Sequence, residues 1–115
     1  MQPDSYDAAI KELAKLGLMG HLQGEDQLIV SSQEGPVWPN RGNSFWLSRK
    51  HGTWYLSTWL PAGYRVLPDQ DIVALCAACM GGSSAMYRVP PEVIARFGLE
   101  ELADKEYERL FSSGQ

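Results

Sequence analysis

Cys76 and Cys79, spaced as Cys76-Ala77-Ala78-Cys79, are the first residues whose type and spacing could do chemistry. A Cys-x-x-Cys pair can cycle between dithiol and disulfide, or supply half of a zinc site. A redox pair needs its first thiol exposed at a helix amino terminus, where the dipole favours thiolate. The sequence predicts a helix over 69–80, which sets Cys76 about two turns in. Ile72, Leu75, Cys76, Cys79 and Met80 also fall on one apolar face at helical spacing, so both cysteines are expected as small core residues. Zinc would need two further ligands, and the two histidines, His21 and His51, stand apart in no paired motif. Neither a metal nor a cofactor is expected.

The remaining polar motifs read in the same way. Gly81-Gly82-Ser83-Ser84 has the composition of a phosphate cradle. Such loops work by aiming the free N–H groups of a following helix at the anion, and this one follows the carbonyl end of a helix. Asp69 and Asp71 could pair as acid and base, but acids in a first helical turn are expected for capping alone. Glu100, Glu101, Asp104, Glu106 and Glu108 read as the solvated side of the last helix. No serine or cysteine nucleophile lies in a defensible pattern with either histidine. No enzymatic motif is assembled, and the chain reads as non-catalytic.

The elements that position these residues follow from periodicity. Tyr6, Ala9, Ile10, Leu13 and Leu16 recur at helical spacing, with Asp4 or Ser5 as cap, Gly17 past the end and Leu18 placed to seal it. Gly24-Glu25-Asp26 is a turn before the strand Leu28-Ile29-Val30, with residues 18–23 as its hairpin partner. Residues 33–43 carry two prolines and two glycines and form a loop, in which Trp38 is the one large residue. Tyr64-Arg65-Val66-Leu67 is a third strand of a meander. A short strand at 85–89 follows the 69–80 helix, and the chain ends in a helix broken at Gly98 into 92–97 and 99–111. The expected fold is a single α+β domain over residues 1–115. It comprises an N-terminal helix, a meander of three or four antiparallel strands, and C-terminal helices packed mainly on one sheet face.

At 115 residues with 44% hydrophobic and 21% charged residues, the chain has the size and composition of one globular domain. Its net charge of −4 is uneven: residues 1–34 hold six acids and two bases, residues 35–90 two acids and five bases, and residues 91–115 six acids and three bases. An acidic chain argues against a protein whose affinity rests on neutralising phosphates. The first residues lack the features of a secretion signal, and no apolar run approaches the ~18 residues of a membrane span. A cytoplasmic location is therefore expected, where a structural disulfide would be out of place.

The densest feature is aromatic. Phe45, Trp46, Trp54, Tyr55 and Trp59 lie within fifteen residues around His51-Gly52. If His51-Gly52 is a two-residue turn, Phe45, Leu47, Trp54 and Leu56 form a core face, and Trp46, Ser48, Tyr55, Ser57 and Trp59 face the other way. A three-residue turn over 50–52 would mix the two faces, and the two-residue turn segregates them better. Trp46, Tyr55 and Trp59, with Arg49 and Arg65 nearby, are then the expected surface of an interaction module that binds a protein partner or a second copy. The alternatives are a helix or the 33–43 loop packed over these aromatics, or a ligand pocket between that loop and the sheet, with Trp38, Arg41 and Arg65 lining it. Single-stranded nucleic acid stacked on the same rings is disfavoured by the charge.

Overall fold

The computed structural model describes residues 2–24, 27–31, 44–58, 63–80 and 89–111. Six strands form one antiparallel sheet in sequence order: β1 (Met19–Gln23), β2 (Gln27–Ser31), β3 (Ser44–Lys50), β4 (Thr53–Ser57), β5 (Gly63–Arg65) and β6 (Glu100–Glu101). Helix α1 (Tyr6–Ala14) precedes the sheet, α2 (Ile72–Met80) and α3 (Pro91–Phe97) lie between β5 and β6, and α4 (Asp104–Phe111) follows β6. The fold is α+β, as expected, with more strands than the three or four anticipated. Residues 19–23 of the expected 18–23 segment do pair with β2, and β6 is a strand where helix was expected.

The β3–β4 hairpin turns on two residues. His51 and Gly52 both take positive φ, 53° and 79°, the left-handed values that a tight hairpin turn needs to match the twist of its strands. Lys50 pairs with Thr53, Arg49 with Trp54, Ser48 with Tyr55, Leu47 with Leu56 and Trp46 with Ser57. This register puts Phe45, Leu47, Trp54 and Leu56 on one face, where all four are fully buried. They join Leu28, Val30 and Tyr64 from the other strands, Val66 just past β5 and the apolar sides of α1, α2 and α3 in one core.

Two helices end by the same device, and each leads into an edge strand. At the end of α1, Gly17 has φ 78°, the Leu18 N–H donates to the Leu13 carbonyl at 3.0 Å, and the Gly17 N–H donates to that of Ala14 at 3.0 Å. At the end of α3, Gly98 has φ 62° and the Leu99 N–H donates to the Ile94 carbonyl at 3.1 Å. In both, the leucine after the glycine is buried and seals the helix end, the usual companion of this motif. The chain then enters β1 or β6.

The region after Gly98 corrects the expected continuous helix over 99–111. Glu100 and Glu101 pair with Arg65 and Tyr64 as β6, the Leu102 N–H donates to the Gly63 carbonyl at 2.8 Å, and helix resumes only at Asp104. A second partner strand satisfies the outer edge of β5, which a helix there would leave open. Helix α2 also begins later than the expected residue 69. The Asp71 carboxylate accepts from the N–H groups of Val73 and Ala74 at 2.9 and 3.2 Å and caps the helix, while Asp69 lies in the preceding turn. The strand expected at 85–89 and the glycine-serine motif 81–84 lie outside the described residues, apart from Val89, which is buried and not in a strand. Among the described residues no helix is long and apolar enough to cross a membrane.

Candidate functional site

The opposite sheet face is built from different residues. Across the strands the rows run His21, Ile29, Trp46, Ser57, Gly63 and, next to it, Ser48, Tyr55, Arg65, Glu100. Ile29, Tyr55 and Leu102 are buried but stand apart from the main core, so a second, smaller apolar layer lies on this side. Part of its cover comes from α4. Gly63 is a close-approach position, since a Cβ there would lie 2.8 Å from the Tyr107 ring and 3.0 Å from Leu102. Hence α4 sits on the side away from the other three helices.

Trp46 is half-buried. Its indole reaches across β2 and donates from Nε1 to Oε1 of Gln23 on β1 at 2.9 Å. Tyr55, expected on the exposed surface, is only 7% exposed, and the Arg65 guanidinium stands 5.9 Å from its ring centroid. Arg65 itself is engaged: it donates to Glu100 at 3.0 Å and to Glu106, which also accepts from Arg109 at 3.5 Å. The hydrogen bonds to Glu100 and Tyr55 raise the guanidinium pKa further above its already high ordinary value. Its charge is permanent, and two carboxylates already balance it.

Arg49 belongs to the other side. Its pairing with Trp54 turns its side chain away from Trp46 and Tyr55 and toward the indole of Trp54, 6.0 Å from the ring centroid. That corner is tied by the N-terminal segment. Tyr6 meets Trp54 edge-on at 5.6 Å and accepts from the Arg49 N–H at 2.8 Å. The Trp54 Nε1–H donates to the Pro3 carbonyl at 2.9 Å, and the Gln2 amide donates to the carbonyls of Leu67 and Gln70, both at 2.8 Å. Arg49 thus stands with the core-side aromatics rather than with the expected surface. Trp59, Trp38 and Arg41 lie outside the described residues, as does the loop side of the expected pocket.

The second face also carries a feature the sequence did not announce. The hydroxyls of Ser31, Ser48 and Ser57 are buried and have no hydrogen-bond partner among the described residues. Each such orphan costs about 1–3 kcal/mol relative to a bonded hydroxyl, and a cluster of them on one face calls for a reason.

The other chemical candidates resolve as structure. Cys76 is fully buried and Cys79 nearly so. Burial pushes the Cys79 thiol up to about 12 and that of Cys76 well above its ordinary value, with the neighbouring Cys79 and Asp71 adding to the effect. Both are protonated, apolar core groups at neutral pH. His21 and His51 are exposed on β1 and at the hairpin turn. A cleft of about 600 Å³ lies beside the N-terminal segment, lined by Asp4, Glu12 and Asp71 among others. Glu12 pairs with Lys15 and Asp71 caps α2, so two of its three acids serve the local fold. Among the described residues no group of three or more metal-ligating side chains converges.

Comparison with protein-family profiles, curated proteins and solved structures finds no match.

Proposed function

We propose that this protein is an interaction module that binds a protein partner through the second sheet face, at the end marked by Trp46. The observation that carries the reading is the position of that side chain. Trp46 is a large amphipathic residue, partly exposed, tied to Gln23 by a hydrogen bond from its indole and flanked by the exposed residues His21 and Gln23 of β1. Half-buried, oriented tryptophans are what binding hot spots are made of. Tyr55 and Arg65 act as the support of this surface, through the Arg65 bridge to Glu100 and Glu106, rather than as contact residues.

The test is capture of a partner by the intact chain and by Trp46→Ala at matched concentration, with the melting temperature of both recorded. The reading expects a partner that the variant loses while still folding cooperatively. Equal capture by both would overturn it.

A further inference from the structure

Among the described residues two edges bound the sheet, and they are defended differently. A free edge strand presents unpaired backbone N–H and C=O groups, and proteins blunt such edges with charge, proline or brevity. The β6 edge has two of these devices: it is two residues long, and both are glutamates. The β1 edge, Met19-Gly20-His21-Leu22-Gln23, is five residues long and carries no acid, lysine, arginine or proline. Leu22, the one large apolar side chain on this strand besides Met19, stands 50% exposed.

From this contrast we infer that β1 is a self-association edge, where two copies of the chain pair antiparallel about a two-fold axis and continue the sheet from one protomer into the other. The inference is independent of the role proposed for Trp46. Two observations favour a second copy as the occupant. Charge is the first: copies of a chain with net charge −4 meet at β1 with no like carboxylates opposed across the ladder, whereas pairing at β6 would set glutamate against glutamate.

Shape is the second. Pairing all five residues centres the axis on His21 and places Leu22 of each copy opposite Gly20 of the other, on the side of the sheet that α1 covers. Gly20 has no side chain to obstruct it, and Ile10 of α1 comes so close that a Cβ at position 20 would stand 3.2 Å from it. Leu22 of the second copy therefore lands beside a half-buried isoleucine and loses its exposure.

Five paired residues and one leucine a side make an interface smaller than the ~1,200 Å² of standard stable ones, so the dimer is a weak one, forming over roughly the upper micromolar range.

The experiment is sedimentation equilibrium of the full chain from about 10 μM to 1 mM, with three substitutions and a cross-linking control. A mass rising toward twice the monomer is expected, with Leu22→Lys weakening association at least tenfold and Glu101→Ala leaving it unchanged. Should Leu22→Lys fail to fold, His21→Cys decides. On oxidation it is expected to give a covalent dimer, while Glu92→Cys on α3 does not, and the buried native thiols contribute no background. A chain that stays monomeric at 1 mM, a dimer indifferent to a folded Leu22→Lys, or one in which position 21 cross-links no better than position 92 overturns the inference. Association lost in Trp46→Ala but kept in Leu22→Lys would assign it to the sheet face instead.

Discussion

The two faces of one sheet are built differently. The face that meets α1, α2 and α3 is apolar at every central position, and Phe45, Leu47, Trp54 and Leu56 are packed without exposure. The other face alternates Trp46 and Tyr55 with serines and a glycine, leaves three hydroxyls without partners among the described residues, and keeps one tryptophan half in solvent. A sequence selected for stability alone would fill that second face as it fills the first, since apolar replacement of orphaned hydroxyls is neutral or favourable. The difference shows where stability resides and where the chain departs from it.

Breaking the comparison begins at Trp54. Trp54→Ala removes a fully buried indole, its edge contact with Tyr6 and its bond to Pro3. It should cost about 3–5 kcal/mol in urea unfolding, a large share of the ~5–15 kcal/mol typical of a domain. On the second face the most sensitive position is Gly63. Gly63→Ala drives a methyl against Tyr107 and Leu102 and should cost about 1–3 kcal/mol by overpacking. The signature would be early exchange of the α4 amides while the α1 amides keep their protection.

The cysteines sharpen the same contrast through pH. A thiol whose folded pKa lies above its unfolded value is bound to its proton more tightly in the native state, so its contribution is complete below the unfolded value and is lost as pH rises. Cys79 goes from an ordinary 9.0 to about 12. Stability should thus fall from pH 9 upward by about 1.4 kcal/mol per pH unit for each buried thiol. Chemical unfolding at pH 8, 9 and 10 checks this, and replacement of both cysteines by alanine should flatten the decline. The smallest effect is expected at Ser48. Ser48→Ala should leave stability unchanged or raise it by up to about 1 kcal/mol, and a clear loss would mean that its hydroxyl has a bound partner.

Much of this division was legible in the sequence, and the parts that were not share a cause. The hairpin register followed from period-two alternation around His51-Gly52, because one step of slippage would have exchanged the faces. The ends of α1 followed from local chemistry, a cap at Asp4 or Ser5 and a Gly17-Leu18 stop, and the end of α3 from Gly98. Strand β6 did not, because Leu99, Leu102 and Ala103 fit a helical spacing equally well, and the bond that decides against helix runs from Leu102 to Gly63. Arg65 read as a free cation because its partners Glu100 and Glu106 are 35 and 41 residues away. Tyr55 read as exposed for a similar reason, since Arg65 and its carboxylates close that end of the face. The side to which Arg49 belongs was implicit in its pairing with Trp54.

The central claim is that Trp46 serves binding more than folding. Its direct test is partner capture by the intact chain and by Trp46→Ala, with urea unfolding of both. The account predicts a cooperative variant destabilised by less than half of what Trp54→Ala costs, and loss of the captured partner. A variant that unfolds like Trp54→Ala, or one that keeps its partner, would contradict it.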